Sequence, residues 1–172
     1  MKKNILVIVM LLCAAILPVA AQKFALVDME YILKNIPAYE RANEQLNQQS
    51  KKWQAEVEAL NQEAKSMYSN YQNESVFLSA DQKKAKEQSV LDKEKEASEL
   101  KKKYFSPEGE LYKKRESLIS PIQDEIYSAV KTVAEQRGYQ LVLDRASDNG
   151  IVFASPAVDI SNEVLAKLGY SK

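Results

Sequence analysis

A long stretch of this chain contains neither glycine nor proline. It covers residues 38–106, between Pro37 and Pro107, where average usage of about 7% glycine and 5% proline would place roughly eight such residues. Gln, Glu, Lys, Ala, Leu and Asn fill it, and most of these favour helix. At about 1.5 Å per residue, the stretch corresponds to on the order of 100 Å of helix. A domain of this size cannot bury such a rod, so the helix must fold back on itself or assemble with copies of itself.

The first residues have the pattern of a secretory signal peptide. Two lysines precede an apolar run, residues 5–17, that is too short to span a bilayer comfortably. Small residues follow, and they suit cleavage after Ala21. We therefore expect residues 1–21 to be removed from an exported protein. A retained membrane anchor and a lipoprotein attached through Cys13 are the alternatives.

The composition excludes several kinds of site. Cleavage would remove the only cysteine, and the chain has no histidine, which leaves no disulfide, no Cys/His metal cluster and no histidine-based catalytic pair. The mature chain would carry 22 basic and 24 acidic residues, a formal charge of −2, which is no nucleic-acid signature. Asp28 and Asp144 end apolar runs and are interpreted as capping and turn residues rather than a catalytic dyad. We expect no catalytic residue, metal, cofactor or nucleic-acid partner.

Apolar residues at steps of three and four predict a first long helix. The stripe runs from Tyr39 to Tyr71 and has the spacing of a coiled-coil seam with one stutter. The pattern breaks at residues 76–78. Ser79 and Gln82 then form a capping-box pattern, which predicts that a second helix begins there.

The second helix carries a seven-residue apolar repeat made of Val90, Ala97, Tyr104, Leu111 and Leu118. Because this repeat keeps its phase across Pro107 and Gly109, we predict a kink there rather than a helix end. Ser120-Pro121-Ile122-Gln123 either starts a fresh helix or marks a second kink. Together the two helices predict an antiparallel hairpin over residues 38–137, with its tip near residues 76–79.

Strand-forming residues lie at the two ends of the chain. Residues 24–28, 140–144 and 151–154 are apolar runs, and Asn149-Gly150 predicts a hairpin turn between the last two. A short helix is expected over residues 159–168.

These elements predict an α+β fold that is mainly α. A small β body, formed by residues 22–37 and 138–172, would carry the helical hairpin as an arm. Three short strands cannot bury a core alone, so we expect the body to be closed by oligomerisation.

Three sequences at the ends carry a resemblance: Phe24-Ala-Leu-Val-Asp28-Met29, Val133-Ala-Glu-Gln-Arg-Gly138-Tyr-Gln-Leu-Val-Leu-Asp144 and Asp159-Ile-Ser-Asn-Glu-Val-Leu165. With the signal peptide and the long charged helices, they resemble the Skp/OmpH family of periplasmic chaperones. The resemblance implies a homotrimer in the periplasm, with hairpin arms around a cavity that holds unfolded outer-membrane proteins without ATP. Family members are strongly basic, whereas this mature chain is slightly acidic, so no lipopolysaccharide site is carried over.

Two sets of residues are candidates for binding. The expected client-binding residues near the tip are Met67, Tyr68, Tyr71, Phe77 and Leu78. The expected oligomer interface consists of Phe24, Leu26, Val27, Leu141, Val142, Leu143, Ile151, Val152 and Phe153. Trp53 is interpreted as packing within the hairpin, with a client contact as the alternative.

Two further interpretations remain open. The basic clusters at residues 101–103 and 113–115 are interpreted as solvated faces, or alternatively as a basic cavity wall. The chain as a whole could instead be a structural adaptor of the export-pump hairpin type. Such adaptors flank the hairpin with larger β domains, which this sequence does not provide.

Overall fold

A computed structural model describes residues 23–147 and 150–170. The expected signal peptide and Asn149 of the expected hairpin turn lie outside these residues. The elements in chain order are β1 (Phe24–Val27), α1 (Met29–Lys34), α2 (Pro37–Glu74), a 3₁₀ turn (Ser75–Phe77), α3 (Ala80–Phe105), α4 (Glu110–Arg137), β2 (Leu141–Asp144), a second 3₁₀ turn (Pro156–Val158) and α5 (Ser161–Lys167). The predicted fold class is confirmed: a long antiparallel hairpin stands on a small body that pairs strands from both chain ends.

The tip of the hairpin follows the local sequence signals. The first long helix ends at Glu74, and the next begins after Ser79. The Ser79 hydroxyl accepts from the Gln82 backbone N–H, and the Gln82 side chain accepts from the Ser79 backbone N–H. These two hydrogen bonds confirm the predicted capping box. Both are made within one turn of helix, which is why the local sequence predicted them.

The predicted kink at Pro107 is wrong: the helix ends there. Ser106, which precedes the proline, is extended at φ −66° and ψ 163°, as expected when a proline ring disfavours helical backbone in the preceding residue. A Cβ added to Gly109 would lie 2.8 Å from the Tyr104 carbonyl oxygen. The absent side chain lets the new N-terminus of α4 approach the end of α3 this closely, so the chain makes a compact joint between two helices.

Pro121, unlike Pro107, does not end a helix. It lies inside α4, which continues from Glu110 to Arg137 without interruption. The flanking Ile119 and Ile122 are both buried in the body core. Tertiary packing thus holds the helix across a proline that, by sequence, could equally have started a new one.

The expected third strand, residues 151–154, is also wrong for the described chain. The sheet has two strands, and β1 pairs in parallel with β2, with Phe24 opposite Leu141. On its other edge, β1 forms a bridge from Leu26 to Asp159. The chain after β2 thus reaches the opposite edge of β1, and residues 151–154 form no strand with β2.

Helices contribute most of the residues in the core of the body. It gathers residues from both chain ends and from the lower parts of the long helices: Ala25, Val27, Ile32, Ile36, Ala42, Ile119, Ile122, Ile126, Ala129, Val133, Ile160, Val164 and Leu165. Farther out, the buried residues are fewer and smaller, namely Leu46, Val57, Ala64, Val90 and Ala97. The body is therefore the stable part of the chain, and the arm has a thin seam.

Candidate functional site

The tip of the arm presents apolar side chains to solvent. Phe77 is 86% exposed, and Val76 beside it is nearly as exposed. The turn that holds them is well ordered by contacts on both sides, since Lys86 of α3 pairs with Glu74 of α2 and the Ser75 hydroxyl donates to the Gln72 carbonyl. A structured turn that leaves an apolar pair uncovered is typical of an interaction surface.

The five residues predicted for client binding divide into two groups. Phe77 and Tyr68 are exposed, whereas Met67, Tyr71 and Leu78 are half-buried. The Tyr71 hydroxyl donates to the Glu87 carboxylate across the hairpin. This hydrogen bond, with desolvation, raises the pKa of Tyr71. Tyr71 thus also ties the two helices together.

Sequence reasoning missed Val76 as a partner for Phe77. The available signal was its position: it precedes Phe77 in the predicted break, where the tip of a hairpin has little protein to cover it. Val76 and Phe77 at the turn, together with the exposed Tyr68 farther back along α2, are the exposed apolar residues towards the end of the arm, and we call these three the tip surface.

Trp53 packs within the hairpin, as predicted. Its ring stacks on Tyr104 with centroids 4.6 Å apart, and the Tyr104 hydroxyl donates to Glu56 at 2.7 Å. The hydrogen bond to Glu56 raises the pKa of Tyr104. The ion pairs across the arm, such as Lys93 with Glu63 at 3.3 Å, contribute less to stability, since surface ion pairs are worth about 0–1 kcal/mol each.

The body exposes a second apolar surface. Phe24 and Leu141, which are register partners in the sheet, are each 53% exposed, and Val152 and Phe153 are 100% and 84% exposed. We call these four residues the body surface. A groove of about 360 Å³ lies nearby between α4 and β2 and is lined in part by the exposed Tyr127.

The other residues of the expected oligomer interface are less exposed. Leu26 and Val27 are buried within the chain itself, and Val142, Leu143 and Ile151 are partly buried. Sequence reasoning had missed Tyr127. The signal for it was weak: it lies one residue beyond the buried Ile126, off the apolar stripe of α4.

Arg145 ties the two ends of the chain together. Its guanidinium pairs with Asp28 and with Asp159, both at 3.1 Å. Asp28 also accepts from the Tyr31 backbone N–H at 2.8 Å and so caps α1. That backbone hydrogen bond, together with Arg145, lowers the pKa of Asp28. The expected capping role of Asp28 is therefore confirmed.

Asp144 has a comparable structural role. Its carboxylate accepts from the backbone N–H groups of Met29 and Ala146, at 3.1 and 3.0 Å. Asp28 and Asp144 thus hold backbone at the chain ends, as the sequence interpretation had it. Over residues 23–147 and 150–170, no group of three or more His, Cys, Asp or Glu residues could hold a metal ion. Among the helices of those residues, none is long and apolar enough to cross a membrane.

The basic clusters are exposed on either side of the joint between α3 and α4. Lys113 pairs with Glu110 at 3.2 Å, and the Lys103 ammonium lies 5.8 Å from the Tyr104 ring centroid. These local contacts agree with a solvated face.

The family of the chain is given by comparison with known proteins. A family model described as "Outer membrane protein (OmpH-like)" matches residues 23–168. The chain belongs to the OmpH-like family. The family match spans the body and the whole arm, so both the tip surface and the body surface lie within it.

Relatives of this OmpH-like chain carry a chaperone name. "Chaperone protein Skp" of Yersinia enterocolitica is 28% identical over 157 residues, which are 90% of this chain and 91% of the relative. The protein of the same name from Pectobacterium atrosepticum is 26% identical over 151 residues, 87% of each. A crystal structure of an OmpH-like outer membrane chaperone from Caulobacter crescentus CB15 matches with a TM-score of 0.69 and 14% identity, over 87% of this chain and 85% of that one. At that identity, the structure shows a shared fold.

Proposed function

We propose that this protein is an ATP-independent holdase chaperone of the periplasm, which binds unfolded outer-membrane proteins and prevents their aggregation. Membership of the OmpH-like family and the relatives named Skp support this function over a structural adaptor or an enzyme. In this proposal the leader is cleaved near Ala21, and the chain performs no catalysis.

The observation that carries the proposal is the tip surface. Val76 and Phe77 are held out by a turn that its own hydrogen bonds and ion pair keep in place. The arm behind them has a thin seam and exposed polar contacts, so it can adapt to clients of different shape at low cost. Many weak apolar contacts on an adaptable support suit binding that must be reversed without ATP.

The body surface supports assembly as a homotrimer. Phe24, Leu141, Val152 and Phe153 are too exposed for a monomeric body, and apolar surfaces of this kind mark protein interfaces. We infer that they meet the same region of other copies, which sets three arms around a common cavity. Residues 151–154 pair with no strand among the described residues, and they are the natural candidates to cross to a neighbour.

The tip surface gives a direct test. Replacing Tyr68, Val76 and Phe77 with serine alters exposed residues only, so the fold and the oligomer should stay intact. We expect the affinity for a urea-unfolded outer-membrane β-barrel to fall by at least about tenfold, since three partly covered apolar side chains at roughly 0.5 kcal/mol or more each sum to about 1.5 kcal/mol or more. Serine at Tyr112, an exposed aromatic residue of α4 outside the tip surface and the body surface, is the matched control. Unchanged affinity in the tip variant would exclude the tip surface as a client contact.

A further inference from the structure

Two clefts open between α2 and α3 along the arm. The first, which we call the mid-arm slot, has a volume of about 330 Å³ and is lined by Gln54, Val57, Glu58, Asn61, Lys101 and Phe105. The second, which we call the distal cleft, has a volume of about 250 Å³ and is lined by Met67, Asn70, Glu74, Lys86, Ser89 and Val90. Each has an apolar floor contributed by both helices and a polar rim.

The two clefts lie on opposite broad faces of the arm. A helix turns by about 100° per residue. The mean direction of Trp53, Leu60 and Ala64 from the helix axis defines the seam of α2. The α2 residues that line the mid-arm slot lie, on average, roughly 90° around the axis to one side of this direction. The α2 residues that line the distal cleft lie, on average, roughly 65° around the axis to the other side. A molecule bound along one face of the arm can therefore contact only one of the two clefts.

The rim groups of the distal cleft are already engaged. Lys86 pairs with Glu74 across the opening, and the Ser89 hydroxyl donates to the Ala85 carbonyl at 3.0 Å. A ligand at this cleft would have to break or bypass these contacts. The rim groups of the distal cleft are therefore less available to a ligand than unpaired groups would be.

The rim of the mid-arm slot is available by comparison. Within the described residues, Lys101 forms no ion pair and the Asn61 side chain makes no hydrogen bond. Gln54 makes a single long hydrogen bond to the Ser50 hydroxyl, at 3.4 Å. Two amide side chains, the unpaired Lys101 ammonium and the Glu58 carboxylate, which accepts from the Gln62 side-chain amide at 2.6 Å, thus surround an apolar floor made of Val57 and Phe105.

We propose that the mid-arm slot binds an extended, unfolded polypeptide segment through one apolar side chain that has an acidic neighbour. The apolar side chain lies on Val57 and Phe105. The amides of Gln54 and Asn61 both donate and accept, which matches the N–H and C=O groups of an unpaired main chain. Lys101 attracts the neighbouring carboxylate. This inference rests on the proposed chaperone function, and it adds that the face carrying the slot is the client-facing side of the arm.

Asn61 and Asn70 provide a matched pair for the test. Both are exposed asparagines of α2, one on each face. A benzophenone amino acid would replace each in turn, and the full mature chain would be irradiated with a urea-diluted outer-membrane β-barrel. We expect cross-linking to the client to be at least fivefold higher from position 61 than from position 70. Equal yields, or a higher yield from position 70, would overturn the proposal.

The charge of Lys101 gives a second readout. Lys101→Gln should weaken client binding about threefold, and the loss should vanish for a client whose acidic residues are amidated. Lys101→Gln binding as tightly as wild type to the unmodified client would exclude the proposed carboxylate contact. Client protection by the wild type without preferential cross-linking at position 61 refutes the slot alone. Absence of any client binding by the wild type refutes the chaperone function and the slot together.

Discussion

Trp53 of α2 stacks on Tyr104 of α3, with ring centroids 4.6 Å apart and ring planes 11° from parallel. Tyr104 is the penultimate residue of α3, three residues before Pro107 in the joint. The stack therefore fastens the distal arm to the one helix, α2, that runs unbroken from the body to the tip. Beyond it, the seam has only small or thinly spaced buried residues.

Trp53→Ala should destabilise the distal arm without unfolding the body. A stacked aromatic pair contributes about 0.5–1.5 kcal/mol beyond its buried area, so we expect a loss of about 1–3 kcal/mol for this half-buried residue. Hydrogen exchange should speed up in α3 and stay slow around Ile126, which is fully buried in the body. Lys52→Ala, an exposed neighbour, is the control. Equal acceleration in body and arm would contradict this division.

Gly109→Ala should destabilise the joint between α3 and α4. A Cβ there would lie 2.8 Å from the Tyr104 carbonyl oxygen and 2.9 Å from that of Lys103. Since both atoms are backbone, relief requires the helices to move apart, at a cost of about 1–3 kcal/mol. Urea unfolding measures the loss, and Glu108→Ala beside it should change stability by less than about 0.5 kcal/mol. Wild-type stability in the glycine variant would show that the joint is loose.

The Asp28–Arg145 pair predicts a specific pH dependence. The folded pKa of Asp28 is lowered from its ordinary 3.8, so its ionised form stabilises the fold. That contribution is fully present above about pH 5 and is lost as the pH falls through the lowered folded pKa. Asp28→Asn keeps the cap and removes the charge. It should cost on the order of 1 kcal/mol at pH 7 and progressively less below pH 4.

Urea unfolding at pH 7, 5 and 3 checks this prediction. Asp124→Asn, which removes an exposed carboxylate of α4, is the control and should show little difference at any pH. A stability difference between wild type and Asp28→Asn that does not shrink at acidic pH would rule out the charge as its source.

The oligomer can be tested with two phenylalanines of similar exposure. Phe153→Ser alters the body surface and Phe77→Ser the tip surface, and neither removes a buried side chain. We expect the wild type to have the mass of a trimer at micromolar concentration and Phe153→Ser a lower mass. Burial of one such side chain contributes about 1.5–3 kcal/mol, and each substitution acts three times per trimer. Phe77→Ser should remain trimeric, and a wild-type monomer or dimer would refute the trimer.

Local signals in the sequence predicted the parts of the fold that depend on neighbouring residues. The capping box at Ser79 is an example, because its hydrogen bonds lie within one turn of helix. The prolines show the limit. Pro107 ends a helix where Gly109 allows a close joint, whereas Pro121 is accommodated because Ile119 and Ile122 are anchored in the core.

Long-range pairing was harder to predict. The sequence of residues 151–154 favours a strand beside β2, but the chain after it bridges to β1 at Asp159, and among the described residues the outer edge of β2 stays unpaired. Arg145 likewise showed no signal, because its partner Asp28 lies 117 residues away. The mid-arm slot could not be anticipated either, since it depends on how Val57 and Phe105 meet across the hairpin.

The holdase function itself is tested most directly by light scattering. A urea-unfolded outer-membrane β-barrel would be diluted into buffer with increasing amounts of the mature protein, without nucleotide. We expect aggregation to be suppressed nearly completely at about one trimer per client, and the client to be recovered in a soluble complex. Aggregation at the same rate and extent as in buffer alone, at a several-fold excess of trimer, would contradict the chaperone function.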